Sequence, residues 1–253
     1  MPTAVLVLLA GSTGLVLGPA VDTLARWSLA RRRGPGDDAP ASAPPAPRPR
    51  FAAALAAVAL AAVTWLLGAA PVLPAWWALA IVGTSIALAD LARHRIPDPL
   101  VGLLATCGGV LLLGAALVEG AMADYARGGM AAGVSVVVFL ALALAWPRGM
   151  GMGDAKLIPV LALFLGYQGW DFLAVGLLSA FLLAALASLA PGLLRWAAGP
   201  SPREAAAASS VGHALSSPVG VVAALRAPIP LGPFLIGGAI LSLALVPALA
   251  VSA

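Results

Sequence analysis

Charge is scarce in this 253-residue chain. Only 9% of its residues are Asp, Glu, Lys or Arg, against about a quarter in soluble globular domains. That shortage excludes a water-soluble globule. Cysteine is scarcer still: Cys107 stands alone, which excludes a disulfide framework and a thiolate zinc site. The two histidines, His94 and His213, do not complete a zinc constellation with it. What fills the chain instead is apolar. Hydrophobic residues make up 62%, and the mean hydropathy is +1.03. This excludes intrinsic disorder, and the 28 glycines follow no fixed period that would suggest a collagen-like repeat. An integral membrane protein remains. At about 20 residues per span, the length holds seven to nine helices and little else.

The apolar runs and their breaks predict an all-α, polytopic bundle of about eight transmembrane helices. They fall near residues 3–20, 51–70, 72–91, 99–119, 129–146, 157–170, 172–196 and 229–251. No basic residue precedes the first run, so it reads as a span rather than a secretory signal peptide. The cluster Arg31, Arg32, Arg33 follows it, which places the N-terminal end outside and the next segment in the cytoplasm. Alternation then puts Arg26, Arg31, Arg32, Arg33, Arg48, Arg50, Arg93, Arg95, Arg148, Lys156, Arg195, Arg203 and Arg226 on the cytoplasmic side, and Arg127 alone outside. The pI near 10.2 is therefore read as orientation of helices, not as a nucleic-acid partner. Trp76, Trp77, Trp146, Trp170 and Trp196 lie near helix ends, as interfacial aromatic belts do. Residues 1–50 divide off as a helix plus a linker rich in Pro (Pro35, Pro40, Pro44, Pro45, Pro47, Pro49), and 51–253 form the transmembrane unit.

Most of the ten acids have ordinary explanations. Asp22, Asp37 and Asp38 lie in the first cytoplasmic segment, and Glu119, Asp124 and Asp171 in external loops. Asp98 precedes Pro99 and is placed as a helix N-cap. Asp90 differs, because it closes the run Ile86-Ala87-Leu88-Ala89-Asp90 at a helix C-terminus, where the dipole disfavours an anion. A pairing with Arg93 or His94 is the plain alternative. Asp154 follows the glycines of Arg148-Gly149-Met150-Gly151-Met152-Gly153-Asp154-Ala155-Lys156. Glycines at alternate positions let a backbone approach a substrate chain closely, though a turn with Asp154 as a cap would look the same. Taken together, the two acids lie at one membrane boundary on different helices. Two carboxylates in a partly dry site share one proton, so that one serves as base and the other as acid. Such a pair activates water against an amide without a metal or a nucleophilic side chain.

These residues resemble the type IV prepilin peptidases, a family of GxGD-type intramembrane aspartyl proteases. Asp90-Leu91-Ala92-Arg93-His94-Arg95-Ile96-Pro97-Asp98 is similar to the family's first signature, in which an acid is followed eight positions later by Asp or Asn after Ile/Leu-Pro. Gly151-Met152-Gly153-Asp154 is similar to the second, with Lys156 where the family commonly has Lys. Ile229-Pro230-Leu231-Gly232-Pro233-Phe234-Leu235 resembles the element that opens the last helix. The resemblance covers roughly residues 72–250. It implies an endopeptidase that removes the cytoplasmic leader of type IV prepilins or pseudopilins, with Asp90 and Asp154 as the catalytic pair. Gly151, Gly153, Lys156, Pro97 and Asp98 would form the supporting loops, with Gly151 and Gly153 leaving room for the extended leader.

Many bacterial relatives also carry a loop with two Cys-x-x-Cys pairs, associated with methylation of the new N-terminus. Here the Pro-rich 34–50 segment stands in its place without cysteine, so neither methylation nor a cofactor or metal is expected. The expected setting is the inner, cytoplasmic membrane, with the site on the cytoplasmic face. Two other classes fit the acids less well. A proton-coupled transporter would place ionisable groups near the bilayer midplane, where these runs have none. A non-catalytic assembly factor would tolerate Asp→Asn at both positions.

Overall fold

The computed structural model describes residues 3–30, 49–145, 151–198 and 230–252. Among the described residues every element is helical: α1 (Thr3–Ala30), α2 (Pro49–Leu67), α3 (Leu73–Arg93), α4 (Asp98–Glu119), α5 (Met122–Ala145), α6 (Met152–Gln168), α7 (Trp170–Ala198) and α8 (Gly232–Ser252). This is the polytopic bundle that the apolar runs predict, because a backbone in lipid must satisfy its own hydrogen bonds within each span. The breaks follow local chemistry. Proline stands in the first turn of α3 and α4, where no N–H is missed. Gly120 ends α4 in the left-handed conformation (φ 68°), its N–H bonded to the Ala116 carbonyl.

Three boundaries differ from expectation. α1 runs on to Ala30, through Pro19. α5 begins at Met122, with Asp124 in its first turn, where the helix dipole favours an acid. α6 begins at Met152, so the Gly-rich loop is already helical at Asp154.

Among the described residues seven helices are long and apolar enough to cross a membrane. α6, with 17 residues, is shorter, about 25 Å at the usual helical rise. Its shortness is tolerated because eleven of those residues are buried in protein. α3 is likewise enclosed: 72% of its apolar window is buried, against 17–33% for the other six long helices. The two helices that carry Asp90 and Asp154 are thus the inner ones.

Small residues set how the helices pair, as they do where lipid removes the hydrophobic drive for association. Gly14 and Gly18 on α1 lie against Ala57 and Ala53 on α2. Gly128 of α5 and Gly166 of α6 meet back to back, and Gly238 of α8 lies on Ala180 of α7. Between α3, α4 and α6 the Phe164 ring fills the place of a side chain at Gly108 and meets Trp76 edge-on at 5.9 Å. Sparse polar contacts add register. The Trp77 indole donates to Thr64 Oγ1 (2.9 Å), and Ser85 Oγ donates to the Val21 carbonyl (3.3 Å).

Arg127, the one basic residue assigned to the outer side, has a local reason for its place. It donates to the Gly166 and Tyr167 carbonyls at the end of α6 (2.8 and 2.6 Å) and pairs with Asp124 at 2.8 Å. A cation at a helix C-terminus satisfies carbonyls that have no partner within the helix. Arg127→Ala is expected to cost about 1–3 kcal/mol of stability, read as a lower thermal midpoint in detergent. An unchanged midpoint would show that water replaces the guanidinium at no cost.

Candidate active site

α3 ends one turn beyond Asp90. The Asp90 carbonyl accepts the N–H of His94 (2.7 Å), and His94 itself turns left-handed (φ 50°, ψ 41°). It is the one non-glycine residue with positive φ among the described residues. This reversal sends residues 95–97 across the end of the bundle to α4, with Ile96 and Pro97 buried. Asp90 is 4% exposed. The partner its carboxylate takes is neither Arg93 nor His94 but the main-chain N–H of Gly232, which donates to Oδ2 at 2.8 Å.

Gly151 is the N-cap of α6, which makes Asp154 the third helical residue, and the Gly151 N–H bonds back to its carboxyl, as in half of a capping box. Gly153 lies on the α3–α4 connection: a Cβ there would stand 2.9 Å from Cβ of Ile96. A Cβ on Gly151 would stand 2.9 Å from Oδ2 of Asp154. A side chain at Gly153 would thus meet Ile96, and one at Gly151 the Asp154 carboxylate, while both glycines also line the cleft. Gly153 draws the start of α6 onto the Ile96-Pro97 segment, and so brings Asp154 to the end of α3.

The expected N-cap role of Asp98 is corrected. Pro97 occupies the N-cap of α4 and Asp98 lies in the first turn. Its Oδ1 is 3.1 Å from Nζ of Lys156, tying the start of α4 to the start of α6. Both side chains are substantially exposed, so the pair contributes orientation more than stability.

A cleft of about 290 Å3 opens at this end of the bundle. Its lining brings together Asp90, Asp98, Gly151, Gly153, Asp154 and Lys156, with Pro97 buried behind it. His94, Arg95, Ile96 and Met152 also line it. All four stand within the two signature motifs, but the sequence suggests a role only for His94, as an alternative partner of Asp90, and for Arg95, as an orienting charge. The Gly232 N–H was missed as well, since no side-chain pattern announces a main-chain donor. Burial, and then the negative charge of Asp90, push the Asp154 carboxyl up to about 6, against a smaller opposing effect from the Gly151 N–H. Among the described residues no three of His, Cys, Asp and Glu gather as metal ligands would. Chemically, the cleft offers two acids at its floor, and His94, Arg95, Lys156 and Asp98 around them.

Residues 77–192 match the model of the type IV leader peptidase family. No curated protein and no solved structure matches the chain. The matched stretch runs from α3 into α7 and contains both Asp90 and Asp154. Over residues 77–192 this multi-pass membrane chain is similar to the type IV leader peptidase family.

Proposed function

We propose that the protein is an aspartyl endopeptidase of the inner membrane that removes the leader of a prepilin or pseudopilin at the cytoplasmic face, with Asp90 and Asp154 as the catalytic pair. The observation that carries this reading is the single cleft lined by both acids, one of them buried at a helix end. The ionised carboxylate takes a proton from water, whose oxygen adds to the scissile carbonyl. The protonated carboxyl gives its proton to the carbonyl oxygen. Collapse of the tetrahedral intermediate passes the first proton to the departing amine and returns a hydroxyl proton to the second carboxylate, which leaves the leader as a free acid and the pair singly protonated again.

The basic residues support the sidedness. Arg93, Arg95 and Lys156 stand at the end of the bundle that holds the cleft, and cytoplasmic ends carry such residues. A prepilin has a short basic leader before an apolar helix, so its cut site would reach the depth of this cleft. The Gly-bounded loops and the Asp98–Lys156 tie frame the opening. Residues 51–253 would form the peptidase unit, joined to the first helix by the Pro-rich segment.

The test is leader removal from a prepilin precursor of the same genome, co-expressed with the wild-type chain. Its pH dependence should carry the mark of the pair. Asp154 holds a proton below about 6 and loses it above, and the singly protonated pair is lost with it. The value of kcat/KM should then fall by about tenfold per unit well above that point. A rate that is flat from pH 6 to 9 would remove the shared-proton mechanism.

A further inference from the structure

We propose that Gly232 is a positioning residue of this site: its N–H holds Oδ2 of Asp90, leaving Oδ1 as the oxygen that exchanges a proton with water. The inference rests on the assignment of Asp90 to the catalytic pair.

Asp90 lies at the C-terminal end of α3, where the helix dipole opposes a negative charge. Gly232 is the first residue of α8, and the first N–H groups of a helix have no partner inside it. One of them is spent on Oδ2, at 2.8 Å and across 142 positions of sequence. The approach leaves no room for a side chain. A Cβ on Gly232 would stand 3.0 Å from Oδ2, 3.3 Å from Cβ and 3.4 Å from Cγ of Asp90.

A second contact between the same helices sets their height. Ile236 packs on Gly83, where a Cβ would be 3.2 Å from its Cγ2. The other acid has a similar contact: the Gly151 N–H at the N-terminus of α6 bonds to Asp154, although a Cβ on Gly151 would crowd only Oδ2 of that carboxylate. Each carboxylate therefore has one oxygen fixed by the main chain of a glycine at a helix start. Gly232 lies beyond the matched residues 77–192, in the Ile229–Leu235 element whose resemblance to the opening of the family's last helix assigns it no role.

The experiment uses the full chain purified in detergent and a prepilin precursor of the same genome. Gly232→Ala keeps the donor but crowds the carboxylate. Gly232→Pro removes the donor at a helix position that tolerates proline. Both are expected to lower kcat by about ten- to a hundredfold with KM changed by no more than about twofold, proline the more. Gly237→Ala, in the same helix and facing open space, is expected to cleave as wild type does.

Wild-type kcat in both Gly232 variants, with Asp90→Asn and Asp154→Asn inactive, would overturn this inference and leave the catalytic pair standing. A loss that vanishes when rates are referred to folded protein would also overturn it, since Gly232 would then serve packing alone. Cleavage by either Asn variant would remove the catalytic pair and this inference with it.

Discussion

Asp90→Asn and Asp154→Asn are each expected to reduce leader removal at least about a thousandfold, a loss of about 4 kcal/mol of transition-state stabilisation or more. Asparagine keeps the size of the side chain and can still accept the Gly232 or Gly151 N–H. What it cannot do is exchange a proton with water or with the scissile carbonyl. The double variant should be no worse than the weaker single one, because residues that act as a unit do not add. The measurement is the ratio of mature to precursor pilin at matched expression, with the mass of the mature N-terminus fixing the cut. Removal of a buried charge should not unfold the chain, so thermal midpoints at or above wild type are expected for Asp90→Asn. Processing by either variant at near wild-type rate would disprove the aspartyl mechanism and return Asp90 and Asp154 to structural roles.

The second large effect is expected at Gly153, which lines the cleft and lies against the α3–α4 connection. A methyl group there would lie 2.9 Å from Cβ of Ile96, closer than packed carbon atoms tolerate. The first turn of α6 must then move away from the α3–α4 connection, and Asp154 moves with it. A displacement of about 1 Å at a reacting group is enough for a hundredfold loss, so Gly153→Ala should lose about that much kcat with the bundle still folded. The relief is specific. Ile96→Gly removes the atom in conflict, and the double variant should regain about tenfold over Gly153→Ala alone. If the double variant is as weak as the single, Gly153 serves the leader chain directly, as the sequence first suggested.

How far the site was legible can be followed through these residues. Asp90 stood out because an acid at the C-terminal end of an apolar run runs against the helix dipole, and Asp154 because three alternate glycines precede it. Asp98 was misplaced by one helical position: a residue before proline looks like an N-cap, and its contact with Lys156 joins two helices 58 positions apart. Arg127 was counted as an exception to the charge rule, because its reason is the end of α6, about forty positions away. The early start of α6 was hidden by its glycines. They lower helix propensity, but here Gly153 is kept by the contact with Ile96 that only a residue without a side chain permits.

The sequence by itself determined that this protein is a bundle of apolar helices, roughly where each one runs, which ends gather the basic residues, and which two acids lack an ordinary role. It could do so because the bilayer acts on each span separately: every backbone must close its own hydrogen bonds, and every charge must find an end. Only the tertiary structure decided which helices are inner ones, that Ile96 fills the space beside Gly153, and that the start of α8 comes down on Asp90. Lipid offers apolar side chains the same surroundings as another helix does. Neighbours are therefore chosen by steric fit at glycines and by single main-chain hydrogen bonds, and neither leaves a mark in composition or period.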